Sequence, residues 1–371
     1  MRKFSLIAAA LLAALLLTAC GSKDKKSSST AAGGGAKGGT IALLLPGNQT
    51  ARYGSQDRPL FQAKVKALCP SCKILYSNAT QDASKQQQQA EAALAQGAKV
   101  LVLDPVDGAA AAAIVSQANA KKVPVISYDR LLLNSKPDYY IEFDSPSVGK
   151  IQGQALVDKL KADGKKGSII MINGSPTDNN AKLFKQGAHS VIDKSGFKVA
   201  KEYDTPDWTP AKAQSEMDQA ISAVGKNGFV GVYAANDGTG GGAIASMKGA
   251  GIDPSTRPTT GQDAELAGIQ RILLGDQYMT VYKPLKQLAE KAAEFAVALA
   301  QGKTPTGADT TENNGSIDLP TIKLAVVPVA ADKVQATVVS DGLWQPPAIG
   351  PPKSPPARHA YRATEGEPTC P

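Results

Sequence analysis

Short apolar runs alternate with helical stretches from about Thr40 to about Asp341 of this 371-residue chain. The apolar runs predict strands at residues 41–45, 73–76, 100–103, 123–128, 139–143, 168–172, 198–203, 228–234 and 280–282. The stretches between them predict helices at residues 60–68, 84–96, 109–120, 148–162, 181–194, 210–224, 240–249 and 284–301. This alternation indicates parallel sheets covered on both faces, and the length suits two domains. We therefore predict an α/β fold of two doubly wound parallel-sheet lobes with a cleft between them, the first series of elements ending near Phe143.

The first 39 residues have a different composition from this body. Arg2 and Lys3 precede an apolar stretch at residues 6–17, which is too short to span a bilayer comfortably and is typical of a signal peptide at residues 1–19. The stretch ends in Leu-Thr-Ala-Cys-Gly, which resembles a bacterial lipobox with Cys20 as the lipidated residue. An ordinary signal peptide that carries a Cys is the alternative. Residues 21–39 cannot bury an apolar face and predict a flexible tether. We expect an extracytoplasmic protein, lipid-anchored to the outer face of the cell membrane.

Charge argues against a nucleic-acid partner. The chain has a formal net charge of +8, but the signal peptide, the tether and the tail after Asp341 carry most of it, and about +2 remains on the body. No basic run stands out in the body, whereas nucleic-acid binding requires a concentrated positive face.

Cys69 and Cys72 lie in a Cys-Pro-Ser-Cys sequence. This spacing suits a redox motif or half of a zinc site in a cytosolic protein, but neither a second pair nor a nearby His completes a metal site. The pair also follows a predicted helix and precedes a strand, the reverse of a thioredoxin-like site. In an exported protein we favour a local disulfide. Cys370 is left over in the Pro-rich tail.

Polar clusters follow several predicted strands, where open α/β sheets bind their ligands. They lie at residues 129–130, 173–180, 236–237, 262–263 and 283–284. Carboxylates, guanidinium groups and amides together supply the donors and acceptors that hydroxyl groups need, and Trp208 and Tyr53 offer flat apolar faces. Each has a simpler interpretation: residues 236–237 as a helix cap, residues 129–130 as a surface ion pair, Trp208 as core and Tyr53 as a loop anchor.

Longer motifs resemble a known family. Residues 128–130, 174–184, 236–244, 261–272, 279–284 and 308–315 are similar to the periplasmic sugar-binding proteins of ABC importers, especially the xylose-binding and multiple-monosaccharide-binding branch. The resemblance implies a type I periplasmic binding protein, whose lobes are joined by a three-crossing hinge. We expect an N-terminal lobe at residues 40–143 plus 283–319 and a C-terminal lobe at residues 144–282 plus 320–341. The remaining tail, residues 342–371, cannot form a regular element and is predicted to be disordered; a reading-frame change is the alternative origin.

The resemblance also implies a set of ligand-binding residues. One lobe would bind sugar hydroxyls through carboxylate and guanidinium, the other through amides and a carboxylate, and a lysine would do so at a hinge crossing. One aromatic residue would stack on each sugar face, with Arg-Tyr here where the family often has Arg-Trp. The set is Arg52, Tyr53, Asp129, Arg130, Asn180, Trp208, Asn236, Asp263 and Lys283.

The predicted function is capture of a monosaccharide by hinge closure and its delivery to an ABC importer permease. Xylose is the first choice, with glucose, galactose and arabinose next, and we expect a monomer without cofactor or metal. One alternative is a sugar-loaded co-receptor for a membrane sensor kinase. A sugar-sensing repressor shares the two-lobed body, but it would carry an N-terminal helix-turn-helix where this chain has a signal peptide and tether.

A secreted sugar-acting enzyme is the other alternative, since two carboxylates would suffice for glycoside hydrolysis. Each Asp in the clusters has Arg, Asn or Gln beside it, which suits recognition by ionised carboxylates better than acid catalysis. The chain has only two histidines, His189 in a predicted helix and His359 in the tail, and neither assembles a Ser-His-Asp set. We predict that the protein is not an enzyme.

Overall fold

The computed structural model describes residues 38–350. The predicted signal peptide, Cys20 and nearly all of the tether lie outside the described residues, as do His359, Cys370 and the rest of the chain after Gly350. Within the described part, no helix combines the length and the apolar composition that a membrane crossing requires.

The N-terminal lobe is built on a seven-stranded sheet. Its strands are β1 (Thr40–Leu45), β2 (Lys73–Asn78), β3 (Val100–Leu103), β4 (Val125–Tyr128), β5 (Tyr139–Phe143), β10 (Thr310–Asn313) and β11 (Asp318–Leu324). They are ordered β2-β1-β3-β4-β5-β11-β10, and all neighbours are parallel except β10 and β11. The helices of this lobe are α1 (Arg58–Leu68), α2 (Ala83–Ala95), α3 (Ala112–Ala120) and α9 (Leu285–Ala300). The central strand β3 is buried throughout, as expected of a parallel strand covered on both faces.

The C-terminal lobe repeats this arrangement. Its strands are β6 (Ser168–Asn173), β7 (Lys198–Asp204), β8 (Gly231–Ala234), β9 (Met279–Tyr282) and β12 (Val327–Ala330). Its helices are α4 (Ser145–Ala162), α5 (Asn179–Ile192), α6 (Pro210–Val224), α7 (Asp237–Gly249), α8 (Leu266–Leu274) and α10 (Pro346–Ile349). The segment 258–261 bonds to β8 on one side and to β9 on the other, so the strand order β7-β6-β8-segment-β9 has the same topology as β2-β1-β3-β4-β5.

The chain passes between the lobes three times. It crosses at Asp144 between β5 and α4, at residues 283–284 between β9 and α9, and at residues 325–326 between β11 and β12. The predicted third crossing near Leu319 is wrong, because β11 pairs with β5 as far as Leu324 opposite Phe143. Residues 320–324 therefore belong to the N-terminal lobe.

All the predicted strands and helices are present, with ends shifted by at most three residues. The prediction missed β10, β11, β12, α8 and α10. β10 is an edge strand and β11 lies next to it, and both have many exposed positions, so they lack the apolar run that marks the inner strands. Helix α8 has its apolar residues at helical spacing, and this signal was available in the sequence.

The prediction of disorder from residue 342 onward is wrong for residues 342–350. Trp344 Nε1 donates a hydrogen bond of 2.8 Å to the backbone oxygen of Ala264, and Gln270 Nε2 donates one of 2.9 Å to that of Ala348. Ile349 is buried in the same apolar cluster as the inner face of α8. Prolines at the start of α10 need no N–H partner, so this Pro-rich sequence does form one helical turn.

A disulfide joins Cys69 and Cys72 in the connection between α1 and β2. It closes a short loop at the end of the helix, where the backbone N–H of Cys72 also bonds to the carbonyl of Cys69.

Candidate ligand-binding site between the lobes

A cavity with about 250 Å³ of empty space lies between the carboxyl ends of the two sheets. The structure brings all nine predicted site residues to its wall, and their binding of a ligand stays a prediction. The complete lining is Thr50, Arg52, Tyr53, Asp129, Arg130, Asp178, Asn180, Phe184, Trp208, Asn236, Gln262, Asp263 and Lys283.

The first loop after β1 forms part of the N-terminal wall. Arg52 donates hydrogen bonds to Asp57 Oδ1 at 2.9 Å and to Asp129 Oδ1, and the hydroxyl of Tyr53 donates to Asp129 Oδ2 at 2.6 Å. Both carboxylate oxygens of Asp129 are therefore occupied by side chains of its own lobe. Tyr53 anchors the loop through its hydroxyl, as one interpretation of this residue predicted, and it also lines the cavity. Its stacking on a ligand stays a prediction.

The charges around Asp129 favour its ionised form. Burial opposes ionisation, but the attraction of Arg52 and Lys283 and the hydrogen bond from Tyr53 outweigh it and hold the pKa of Asp129 below its ordinary value. The pKa of Asp178 moves the other way, because burial raises it more than the charge of Arg130 lowers it.

Arg130 reaches across the cleft. Its Nε lies 3.0 Å from Asp178 Oδ2 in the C-terminal lobe and 3.5 Å from Asp104 Oδ1 in its own lobe. Asp129 and Arg130 are both buried. The alternative of a surface ion pair between them is therefore wrong.

Three site residues have a left-handed backbone. The φ angles are +61° at Asp129, +57° at Trp208 and +87° at Asp263. This backbone region is unfavourable for residues other than glycine, at a cost of about 1–3 kcal/mol for each residue, and it recurs at ligand sites. At these three residues, a strand or turn ends at the cavity wall.

Trp208 is fixed by its neighbours in the C-terminal lobe. Its Nε1 donates to Asp178 Oδ2 at 3.0 Å, and its ring meets Phe184 edge-on with centroids 6.3 Å apart. The indole lies directly on Gly174, where an added Cβ would come within 2.0 Å of the ring. Only glycine fits at position 174, which accounts for the residue that opens the Gly174-Ser175-Pro176 motif.

Asn180 connects the two lobes. Its Nδ2 donates to the backbone oxygen of Asp129 at 2.8 Å and to Glu142 Oε2 at 2.9 Å, both in the N-terminal lobe. The two N–H groups of its amide are thus engaged in contacts between the lobes.

Two other amides at the cavity keep an unsatisfied polar atom. Asn236 caps α7, with its Oδ1 accepting from Thr239 N at 2.8 Å while Thr239 Oγ1 accepts from Asn236 N at 3.1 Å. Its buried Nδ2 has no partner among the described residues, and neither has the buried Oε1 of Gln262. Asn236 is therefore a helix cap that also presents a free donor to the cavity, and Gln262 presents a free acceptor.

Asp237 does not line the cavity, although it follows Asn236 in the same cluster. It accepts hydrogen bonds from Gln277 Nε2 at 2.6 Å, Thr280 Oγ1 at 3.0 Å and the backbone N–H of Glu265 at 2.9 Å. Asp237 therefore organises the interior of the C-terminal lobe.

Lys283 and Asp263 form an ion pair beside the second crossing. Lys283 Nζ lies 3.1 Å from Asp263 Oδ1 and about 5 Å from the ring centres of Phe143 and Phe184. Arg52 Nε approaches the same carboxylate at 3.4 Å from the other lobe. Three cations and three carboxylates line the cavity in all, so their formal charges cancel.

Four lining residues were not predicted: Thr50, Asp178, Phe184 and Gln262. Asp178 and Gln262 belong to the strand-end clusters, and their position next to predicted residues was the available signal. Thr50 and Phe184 carry no such signal, since a loop threonine and a helical phenylalanine are common everywhere. Among residues 38–350, no group of three or more His, Cys, Asp or Glu side chains is arranged to hold a metal ion.

Comparison with known proteins agrees with this geometry. A family model for the periplasmic binding protein domain matches residues 41–304. The D-xylose-binding periplasmic protein of Escherichia coli (strain K12) is 38% identical over 291 residues, which cover 77% of this chain and 86% of that protein. The multiple sugar-binding periplasmic receptor ChvE of Rhizobium radiobacter is 34% identical over 327 residues, with 83% and 91% covered.

Solved structures share the fold. A carbohydrate transporter solute-binding protein from Chloroflexus aurantiacus, in complex with D-glucose, superposes with a TM-score of 0.76 at 31% identity and covers 83% of this chain and 97% of that one. An ABC transporter solute-binding protein from Clostridium phytofermentans, with bound β-D-glucose, gives a TM-score of 0.77 at 26% identity, with 84% and 100% covered. The two-lobed architecture is thus the type I periplasmic binding protein fold.

Proposed function

The chain belongs to the periplasmic binding protein family, and we propose that it captures a monosaccharide between its lobes and delivers it to an ABC importer. The names of its relatives support a sugar as the ligand class, since they include a D-xylose-binding protein and a multiple sugar-binding receptor. D-xylose is our first choice, followed by glucose, galactose and arabinose. The protein acts by binding and is not an enzyme.

The observation that most strongly supports a sugar ligand is that the charges at the cavity cancel while two amides keep an unsatisfied polar atom. A buried polar atom without a partner costs about 1–3 kcal/mol, so a ligand that pairs with Asn236 Nδ2 and Gln262 Oε1 recovers that free energy. Each hydroxyl of a sugar both donates and accepts, so one polyol can satisfy both atoms. A charged ligand would upset the balance of three cations and three carboxylates.

Aromatic side chains support the same ligand class. Trp208, Tyr53 and Phe184 all contribute to the cavity wall, and the apolar C–H faces of a pyranose pack on such rings. The proposed site residues are the nine predicted from the sequence.

Hinge closure is the proposed mechanism. Contacts such as Asn180 with Asp129 and Arg130 with Asp178 join the lobes directly beside the cavity. A sugar that bonds to both walls would add to these contacts only in the closed form and so would favour closure.

Calorimetric titration of the full chain with D-xylose, D-glucose, D-galactose, L-arabinose and D-ribose tests the proposal. We expect saturable binding of at least one of the first four, with D-xylose the tightest. Absence of heat with all five sugars would refute the ligand class. Turnover of aryl glycosides by the same preparation would instead favour the enzyme.

Lipid anchoring is part of the same proposal and has its own test. The change Cys20→Ser should move the protein from the membrane fraction to the soluble fraction of the producing bacterium, because stable anchoring depends on the acyl chains. Cys370→Ser is the matched control, since it changes the other cysteine outside the described residues, and it should stay with the membrane. Equal partition of both variants would contradict the anchor at Cys20.

A further inference from the structure

Glu265 makes a contact between the lobes without lining the ligand cavity. It occupies the position before the first residue of α8, yet its side chain does not cap that helix. Its Oε1 instead accepts a hydrogen bond of 3.1 Å from the backbone N–H of Ala51, in the first loop of the N-terminal lobe. The side chain is buried at this contact.

Ala51 directly precedes the two cavity residues of that loop. Arg52 and Tyr53 follow it in sequence, and both bind Asp129. Within the described residues, the loop has two polar contacts with the C-terminal lobe: the bond from Ala51 to Glu265 and the approach of Arg52 to Asp263. Glu265 is therefore one of two side chains of the C-terminal lobe that bind the loop through polar contacts.

We propose that Glu265 is a positioning residue that docks the first loop, and with it Arg52 and Tyr53, onto the C-terminal lobe when the cleft closes. The proposal rests on the proposed function, because it explains part of the affinity of the same cavity. It assigns a role in ligand binding to a side chain that need not touch the ligand.

The surroundings of Glu265 make this contact sensitive to pH. Burial, together with the nearby carboxylates of Asp237 and Asp263, raises its pKa from 4.5 to about 8, while the Ala51 N–H and Arg271 act in the opposite direction. From the other lobe, Arg52 approaches the neighbouring carboxylate of Asp263. Asp237 and Asp263 belong to the same lobe as Glu265, so their effect on its pKa is present in the open form as well. Burial by the N-terminal lobe is the part that depends on closure, so closure is coupled to the uptake of a proton.

The sign of the pH effect follows from this uptake. Because the closed form holds the proton more tightly, closure is disfavoured as pH rises from the pKa of Glu265 in the open form to about 8, by up to about tenfold in affinity per pH unit. Protonated Glu265 still accepts from Ala51 through its carbonyl oxygen. The neutral variant Glu265→Gln keeps that acceptor but cannot ionise.

The test compares wild type, Glu265→Gln and Glu265→Ala of the full chain by calorimetric titration with D-xylose and D-glucose from pH 5.5 to 8.5. We expect wild-type affinity to fall at least tenfold over this range and the Gln variant to show a flatter profile. The Ala variant should bind about tenfold more weakly than wild type at pH 6, because Ala51 N–H loses its acceptor. Glu202→Ala is the control, since Glu202 bonds to Asn173 and His189 within one lobe, and it should keep wild-type affinity.

Hydrogen exchange of the peptide spanning residues 50–57, at a saturating concentration of sugar, gives a second readout that follows docking of the loop in the closed form. The Ala variant should exchange faster there than wild type, and the Gln variant should restore protection. Unchanged exchange and unchanged affinity in the Ala variant would overturn the role of Glu265. If wild type binds neither sugar, the proposed function fails at its ligand and the role of Glu265 fails with it. If wild type binds sugar and the Ala variant equals it in both measurements, the role of Glu265 fails while the proposed function stands.

Discussion

The two walls of the cavity differ in how completely their polar groups are satisfied. On the N-terminal wall, both carboxylate oxygens of Asp129 accept hydrogen bonds, from Arg52 and Tyr53. On the C-terminal wall, Asn236 and Gln262 each retain a buried polar atom without a partner among the described residues. The N-terminal wall is thus a network of charged groups held by ion pairs, whereas the C-terminal wall keeps two neutral amide atoms that have neither a hydrogen bond nor an ion pair within residues 38–350.

This difference assigns different roles to the walls. The hydrogen bonds that Asp129 accepts come from its own lobe, so they should persist whether the cleft is open or closed and hold a preorganised surface. An unsatisfied amide gains most from a ligand, because pairing removes the cost of a buried free donor or acceptor. Substitutions on the N-terminal wall should therefore affect both stability and binding, and suitable substitutions on the C-terminal wall should affect binding alone.

The largest effect is expected from Asp129→Ala. The change leaves Arg52 buried with one of its carboxylate partners removed, which should lower the free energy of unfolding by about 3–5 kcal/mol. Sugar binding should be lost as well, since Arg52 and Tyr53 lose the group that orients them. Urea unfolding at pH 7 and calorimetric titration measure the two effects.

Asp129→Asn is the matched control for that experiment, because it keeps the size and one acceptor oxygen but removes the charge and replaces the other acceptor with an NH2 donor. Its loss of stability should be smaller than that of the Ala variant. Wild-type stability in both variants would show that the N-terminal network is not self-supporting and would remove the contrast between the walls.

The fold and the assembly of the site were largely predictable from the sequence. Strands of a parallel sheet end at one edge, so clusters such as residues 173–180 and 236–237, which follow two strands of one sheet, had to lie near one another once the alternation of strands and helices was recognised. The boundary near Leu319 was wrong because buried and exposed residues alternate along much of β11. Such a strand gives a weak apolar signal.

The hydrogen-bond partners within the site were not predictable. Asn180 carries an amide of the kind that binds sugar hydroxyls, yet this amide donates hydrogen bonds to Glu142 and to the backbone of Asp129 in the other lobe. That choice depends on how the lobes sit against each other, which no local pattern encodes. The same holds for Glu265, whose partner lies 214 positions away in the sequence.

An intermediate effect is expected at Asn236, where the cap and the free donor belong to different atoms of one amide. Asn236→Ala removes both, so we expect a loss of about 1 kcal/mol in stability and at least tenfold weaker sugar binding. Asn236→Asp keeps an oxygen that caps α7, where the helix dipole favours a negative charge, but it replaces the Nδ2 donor with a charged acceptor. It should unfold like wild type but bind as weakly as the Ala variant, in the same two measurements. Full binding by the Asp variant would exclude Nδ2 as a sugar contact.

We expect the smallest effect on stability at Gln262. A substitution there is also the sharpest test of the difference between the two walls. Removing a buried acceptor that has no partner costs little, so Gln262→Ala should unfold within about 0.5 kcal/mol of wild type while sugar affinity falls about fivefold. Gln277→Ala is the matched control, because the amide of Gln277 is fully engaged inside the C-terminal lobe. It bonds to Asp237, Arg271 and the backbone of Met279. This variant should lose stability and keep its affinity. If instead both glutamine variants lose stability and keep affinity, Gln262 is an ordinary interior residue, and the incompleteness of the C-terminal wall reduces to Asn236 alone.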